Sequence, residues 1–455
     1  MTKHIPFDGL TAQITELNPV RAIGRVVRVE AGLIHVSGLG GKARIGDLAI
    51  VYRHGEPLSG EVLQLDDGLL VLLPDQSPDG VALNDRTALL QARGIAPADS
   101  WIGRIIDPFG NPIDGKPLLR GALSRKLRNP PPDAASRRAM GARLHTGMAV
   151  LNTMLPVVQG QRVGLFAGSG VGKSSLLGHL AQNMSADVVV IALVGERGRE
   201  LRHFIEEVLG PEGLRRSVVI CATSDQSPLT RRRCAWAGMS VAEHFRDKGH
   251  SVLFLADSIT RFAEAHREVA VAAGEAPVLR GFPPSTAQLI MSLCERAGPG
   301  RDTQGDITAV FSVLVAGSDM EEPVADILRG VLDGHIVLDR EIAERGRYPA
   351  IDVLKSVSRS LPSAATADEN ELLGRARKML SIYEQNAMMI RAGLYTSGSD
   401  PETDAAVQIW SELDSFLARV EKQDIRNSFT QLELIMRRAR QTGTGIGRAA
   451  TRQGT

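Results

Sequence analysis

Between residues 151 and 360 the chain alternates unbroken apolar runs with stretches of helical period. The runs Val163 to Ala167, Val188 to Val194, Val218 to Cys221, Val252 to Ala256 and Thr308 to Val315 are rich in Val, Ile and Leu and barely alternate. Strands of this kind are buried on both faces, as in a parallel sheet covered by helices. The texture is different before and after. Residues 21–94 break into short β-branched runs, Arg25 to Glu30, Leu33 to Ser37, Leu48 to Arg53, Glu61 to Leu65 and Leu69 to Leu73, with glycines such as Gly32, Gly60 and Gly68 between them. That spacing predicts a small β-barrel. From 363 to 440 the period becomes helical. Thr366 and Glu369 have capping-box spacing ahead of Leu372, Ala376, Met379, Leu380, Tyr383, Ala387 and Ile390, and Gly393 supplies a stop. Two further stripes, Ile409, Leu413 and Phe416, then Phe429, Leu432, Ile435 and Met436, predict two more amphipathic helices.

The remaining segments are weakly patterned. Residues 1–20 read as a flexible arm, 95–150 as a turn-rich connector, and the Gly, Thr, Arg and Gln-rich 441–455 as a disordered tail. The division expected is therefore arm, barrel (21–94), connector, α/β core (151–362), helical domain (363–440) and tail. Across 455 residues the formal net charge is +1, so no global field points to nucleic acid or a membrane surface. Phe7 and Tyr52 are the only aromatics in the first 100 residues, too few for a base-stacking platform on the barrel. Cys221, Cys234 and Cys294 have no metal or redox spacing and fit buried thiols in a reducing cytoplasm. The run Val188 to Val194 is too short to span a bilayer, and the first residues have no signal-peptide core. Work at a membrane would go through partner proteins.

The chemistry starts at Ala167-Gly168-Ser169-Gly170-Val171-Gly172-Lys173-Ser174. A buried strand precedes it and a helix start, Ser174 to Leu180, follows. This is the context of a phosphate-binding loop. The glycines let backbone N–H groups turn inward at a helix N-terminus, which favours negative charge. Residues Gly168, Ser169, Gly170, Val171, Gly172, Lys173, Ser174 and Ser175 are the candidate cradle for ATP. Lys173 reaches the β- and γ-phosphates, and Ser174 ligates Mg2+. The fold class is then α/β: a small N-terminal β-barrel, a central RecA-like P-loop domain with a mainly parallel sheet, and a C-terminal helical domain.

Ligands in open α/β sheets bind beyond the carboxyl ends of the strands. Glu196 follows the strand at 188–194 and is aimed there, where a carboxylate can polarise an attacking water; it could equally pair with Arg197 or Arg199. Asp257 ends the strand at 252–256 and suits the Mg2+ shell, or a helix N-cap. Tyr348, in Arg347-Tyr348-Pro349-Ala350, can stack on adenine or be an ordinary partly buried tyrosine. Arg359 is one cation among many, although phosphoryl transfer uses arginines supplied by a neighbouring subunit.

The order of these motifs, Ala167–Ser174, Gly195–Glu200, Asp257–Arg261, Tyr348–Asp352 and Ser356–Arg359, resembles the hexameric ATPases related to the catalytic head of rotary ATP synthases, over roughly residues 20–440. Several stretches look like the ATPases of type III protein export: Gly195-Glu196-Arg197-Gly198-Arg199-Glu200, Ala222-Thr223-Ser224-Asp225, Asp257-Ser258-Ile259-Thr260-Arg261-Phe262-Ala263, Pro283-Pro284-Ser285, Glu295-Arg296-Ala297-Gly298 and the run Gly330 to Leu338. Gly393-Leu394-Tyr395 with Gly398-Ser399-Asp400-Pro401 is most similar to the flagellar branch.

The resemblance implies a homohexamer at the cytoplasmic base of the export apparatus, peripheral to the inner membrane, that hydrolyses ATP with Mg2+. It implies Glu196 as catalytic glutamate, Arg197 as phosphate-sensing arginine, Arg359 as arginine finger and Tyr348 as adenine-stacking tyrosine. It also implies partners: export substrates, chaperones and a membrane export gate, and a stator-like negative regulator at the N-terminal arm. The chain departs from the family pattern at Gln226-Ser227, Ser318-Asp319 and Leu289-Ile290-Met291. The rivals are weaker. A rotary synthase catalytic subunit usually has Thr where Ser174 and Gly198 stand. An RNA translocase lacks support in charge and aromatics. A non-catalytic ring subunit would not keep Glu196 with Lys173 and Asp257. The injectisome-type export ATPase shares the chemistry and stays open.

Overall fold

The computed structural model describes residues 7–15, 20–90, 94–278, 280–315 and 320–445. Six strands, β1 (Ile23–Glu30), β2 (Leu33–Ser37), β3 (Leu48–Tyr52), β4 (Leu58–Asp66), β5 (Leu69–Pro74) and β6 (Arg86–Leu90), close a barrel in the order β1-β2-β5-β4-β3-β6. The sixth strand was hidden in the sequence by its short, mixed composition. It closes the barrel by pairing with both β1 and β3, which removes any free edge. Alternate residues Val26, Ile34, Val36, Ala49, Val51, Leu70 and Leu72 fill the interior.

The main sheet takes β7 (Arg104–Ile106), β8 (Arg162–Ala167), β9 (Val188–Glu196), β10 (Ser217–Thr223), β11 (Val252–Asp257), β12 (Gly298–Pro299), β13 (Asp306–Leu314), β14 (Gly334–Leu338) and β15 (Ile351–Ser358). The order is β15-β14-β8-β13-β11-β9-β10-β7, with β12 beside β13. Only the β12–β13 and β14–β15 pairings are antiparallel. Strand β9 shows why the apolar runs do not alternate. Val189, Ile191 and Leu193 face one cluster, with Leu176, Leu177 and Leu180 of helix Lys173–Asn183. Val188, Val190, Ala192 and Val194 face the other, with helices Pro228–Asp247 and Ile259–Ala272. Both faces are dry, so every position is apolar.

The C-terminal helices Ala367–Arg391, Pro401–Leu417 and Ile425–Gly445 pack Leu372, Ile409, Leu413, Phe416 and Leu432 into the first of these clusters. Thr366 and Glu369 form the expected capping box, and Gly393 (φ +68°) follows the helix end. The barrel is tied to the core by Arg232 on Glu61 at 2.8 Å and by Gln64 Nε2 donating to the Ala273 carbonyl at 2.6 Å.

Three segments differ from the sequence reading. Residues Asp8–Thr15, within the arm expected to be flexible, form a helix. Gly9 lies so close to the Arg120 carbonyl that a Cβ there would sit 1.9 Å from its oxygen, an approach that no side chain at this position would allow. Arg104–Ile106, in the presumed connector, is an edge strand paired with β10, a role three residues are too few to signal. The last helix runs to Gly445, past the expected boundary at 440, because the Phe429, Leu432, Ile435 and Met436 stripe anchors it. Residues 1–6 and 16–19 of the arm, 446–455 of the tail, and the Ser318-Asp319 departure lie outside the described residues.

The core holds one buried ion pair of high stake. Arg296 and Glu243 side chains are 2% and 3% exposed and meet through two hydrogen bonds of 2.8 Å. The guanidinium also donates to the Leu127 carbonyl and to Ser240 Oγ, so its donors are used by the connector and by helix Pro228–Asp247. Removing one partner leaves an uncompensated buried charge. Arg296→Ala is expected to cost about 3–5 kcal/mol, read as a fall in the denaturant midpoint of the core domain. A change below about 1 kcal/mol, the scale of an exposed pair, would contradict this account.

Candidate functional site

Strand β8 ends at Ala167 and the chain turns through Gly170 (φ +77°) and Gly172 (φ +91°) into helix Lys173–Asn183. Both glycines sit in the left-handed region that side chains avoid. Gly172 is the N-cap, and no side chain caps the helix. Its first N–H groups are therefore left for an anion, which is the fit expected of a triphosphate. Ser174 and Ser175, in the first turn, are exposed. A Cβ at Gly172 would lie 3.2 Å from the Tyr348 ring, so this half-exposed tyrosine flanks the loop.

The parallel register sets two carboxylates beside Lys173. β8 pairs with β13, β13 with β11 and β11 with β9, so the carboxyl ends of all four strands open on the loop side. Asp257 ends β11 and is 2% exposed. Its Oδ1 accepts from Lys173 Nζ and from Ser312 Oγ, the latter at 2.6 Å. Glu196 ends β9, with Oε1 3.9 Å from Lys173 Nζ. Burial first, and then the negative charge of Asp257, push the Glu196 carboxyl up to about 7; Lys173 opposes the rise. One ammonium between two carboxylates is an arrangement with a charge to spare, and a carboxyl poised near neutrality can exchange a proton with water.

Arg197 does not enter this cluster. It is largely exposed and pairs with Glu200 at 2.8 Å, one helical turn on. Arg359 lies at the other end of the sheet. Its N–H donates to the Asp333 carbonyl, and Asp333 in turn bonds Arg162, which opens β8. At about 3.3 Å per residue, the strand from Arg162 to Ala167 puts roughly 17 Å between Arg359 and its own loop. Its guanidinium bonds the Arg329 carbonyl at 3.2 Å and is exposed.

The sequence reading missed two neighbours of the site. Ser312 is buried in β13, where a single serine in an apolar strand was the only available signal. Arg261 packs against Gly195, with Cβ 3.4 Å from where a glycine Cβ would stand, and pairs with Glu264 at 2.8 Å. In the sequence it stood only inside the Asp257–Arg261 motif and the longer Asp257 to Ala263 stretch. Among the described residues no group of three His, Cys, Asp or Glu side chains forms a metal cage. A Mg2+ ion would thus be held by Ser174, Asp257 and the oxygens of a bound nucleotide, the usual way this cation binds.

A glycine loop between a buried strand and an uncapped helix, with a lysine and two strand-end carboxylates, defines a P-loop nucleoside triphosphatase on a mainly parallel sheet. Comparison with known proteins narrows the class. Residues 147–358 match the model of the ATP synthase alpha/beta family, nucleotide-binding domain, and residues 365–434 match the T3SS EscN ATPase C-terminal domain. The flagellum-specific ATP synthase of Caulobacter vibrioides is 43% identical over 437 residues, 94% of this chain and 98% of that protein. The flagellum-specific ATP synthase of Salmonella typhimurium is 39% identical over 442 residues, 94% and 96% of the two chains. The assembled ATPase EscN of the enteropathogenic E. coli type III secretion system superposes with a TM-score of 0.82 at 33% identity, covering 90% of this chain and 99% of that one. EscN in complex with its central stalk EscO gives the same TM-score at 34% identity. The chain belongs to the ATP synthase alpha/beta family, among its flagellum-specific ATPases. It is an ATP-hydrolysing enzyme.

Proposed function

We propose that this chain is the Mg2+-dependent ATPase of a flagellar type III export apparatus, working as a homohexameric ring on the cytoplasmic side of the inner membrane, which it meets only peripherally. The observation that carries the ring is the split site: Lys173, Glu196 and Asp257 cluster at the loop, while Arg359 stands at the far end of the same sheet. An arginine so placed serves a neighbour's nucleotide. The assembled form of EscN supports this reading. The flagellar branch is favoured over the injectisome branch because the flagellum-specific relatives stand at 39% to 43% identity, while the type III secretion ATPases of known structure stand at 33% to 37%.

In this reading the loop residues Gly168 to Ser175 cradle the phosphates and Lys173 turns from Asp257 to the β- and γ-oxygens. Glu196 orients the attacking water and accepts its proton. Arg197 leaves Glu200 for the phosphate, and the neighbour's Arg359 stabilises the charge that develops on the transferred group. Tyr348 stacks on the adenine. Bound Mg2+, held by Ser174 and Asp257, supplies charge neutralisation at the β- and γ-phosphates. The C-terminal helices face export substrates, chaperones and the export gate. The N-terminal helix and the residue before it, with Phe7, Leu10 and Ile14 exposed, meet a stator-like negative regulator.

A site completed in trans has a concentration signature. ATPase rate per chain is expected to rise with chain concentration and then level off as rings fill. A rate per chain that stays flat from dilute to concentrated solution would sink the shared site.

A further inference from the structure

We propose that Ser312 is a positioning residue for the metal-side carboxylate, one that holds Asp257 in place when Lys173 moves to the nucleotide. The inference rests on the ATPase reading above and deepens it.

Ser312 is fully buried in β13, between Phe311 and Val313, which are fully buried too. A hydroxyl in such a strand is costly unless it is bonded. Here it donates to Asp257 Oδ1 at 2.6 Å. The partnership follows from register: Phe311 pairs with Ala256, which puts the next residue of each strand, Ser312 and Asp257, side by side at the carboxyl end of the sheet. On its other side Ser312 pairs with Leu165, two residues before the loop. Ser312 is thus fixed by two neighbouring strands.

Lys173 bonds the same oxygen. The two donors differ in what they can do. Lys173 is on a long, flexible stem at the mouth of the loop, and phosphate oxygens compete for it. Ser312 is on a central strand and has nowhere to go. Once the ammonium leaves, the Ser312 hydroxyl still occupies one carboxylate oxygen, fixes the plane of the group and leaves the other oxygen for the metal's hydration shell. Hydrogen-bonding partners behind a metal-side ligand set its orientation, and their loss typically costs roughly 10–100-fold in metal affinity.

The test measures binding, with no turnover. Affinity for a fluorescent ADP analogue is measured for wild type, Ser312→Ala and Ser312→Thr, in EDTA and across a Mg2+ titration. In Ser312→Ala the half-saturating Mg2+ is expected to rise about tenfold, while affinity in EDTA stays within about twofold of wild type, because loop and lysine are intact. Ser312→Thr keeps the hydroxyl and should restore the wild-type Mg2+ dependence. The proposal is overturned if Ser312→Ala titrates with Mg2+ as wild type does. It is overturned equally if Ser312→Ala loses the same factor in EDTA and in Mg2+, the mark of a packing defect at the loop. Wild type that binds the analogue without any Mg2+ dependence would instead strike at the Mg2+-ATPase reading itself.

Discussion

Replacing Glu196 with Gln should lower ATP turnover by roughly 10^2–10^4-fold while leaving nucleotide binding intact. Gln keeps the length and the hydrogen-bonding capacity of the side chain but cannot accept a proton from water. It also removes a negative charge from a pocket that already holds Asp257, so the affinity for ATP should hold or improve. The same carboxyl gives a pH signature in the wild type. Burial and the Asp257 charge hold Glu196 up at about 7, so it is protonated and idle on the acid side and ionised above. The sign is therefore a kcat/KM that rises with pH through a limb near 7, since this parameter reports the free enzyme. Turnover near wild type in Glu196→Gln would remove this residue from the proposed role, and a kcat/KM flat from pH 5.5 to 8.5 (a window of about 1.5 on either side of the limb) would remove the shifted carboxyl from it.

Arg359→Ala is expected to cost about 10^3-fold or more in kcat, the scale of an arginine finger in phosphoryl transfer. ATP binding to the variant's own loop should change little, since Arg359 sits across the sheet from it and bonds the Arg329 carbonyl. The decisive form of the experiment is a mixture. Lys173→Ala chains cannot hold the triphosphate but carry Arg359; Arg359→Ala chains carry the loop but lack the finger. In mixed rings some interfaces join an intact loop to an intact finger, so two inactive proteins together should regain activity well above their sum. Mixtures no more active than the separate variants, under conditions where rings form, would place Arg359 outside any neighbouring site.

Much of the site was legible in the sequence because the loop chemistry is local. Gly170 and Gly172 are needed for their left-handed backbone, Lys173 follows them directly, and the strand before and the helix after fall within a few residues. Glu196 and Asp257 could be singled out as candidates because each ends an apolar run, and strand ends in a parallel sheet open on one side. Arg359 was singled out only through resemblance. Its surroundings, Lys355 to Ser360, say nothing about where β15 ends relative to β8. Ser312 was missed altogether, since a lone serine in a strand has no meaning until the strand across from it is known.

The same distinction runs through the fold. The core strands announced themselves by composition because two dry faces demand apolar side chains at every position. β6, β7 and β15 did not, because edge and closing strands tolerate mixed residues and owe their pairing to partners distant in the chain. The N-terminal helix likewise lies with Gly9 against the Arg120 carbonyl, a contact no local pattern encodes.

By itself, then, the sequence determined whatever rests on neighbours along the chain: the phosphate loop, the buried strands, the capping box at Thr366 and Glu369, and the periods of the C-terminal helices. Only the tertiary structure decided what rests on register and distance. The order of strands places one ammonium between Glu196 and Asp257 and lifts the glutamate towards neutrality. It also sets Ser312 behind Asp257 and carries Arg359 out of reach of its own loop. Pairing between strands far apart in sequence fixes these distances, and electrostatic coupling is set by distance and burial.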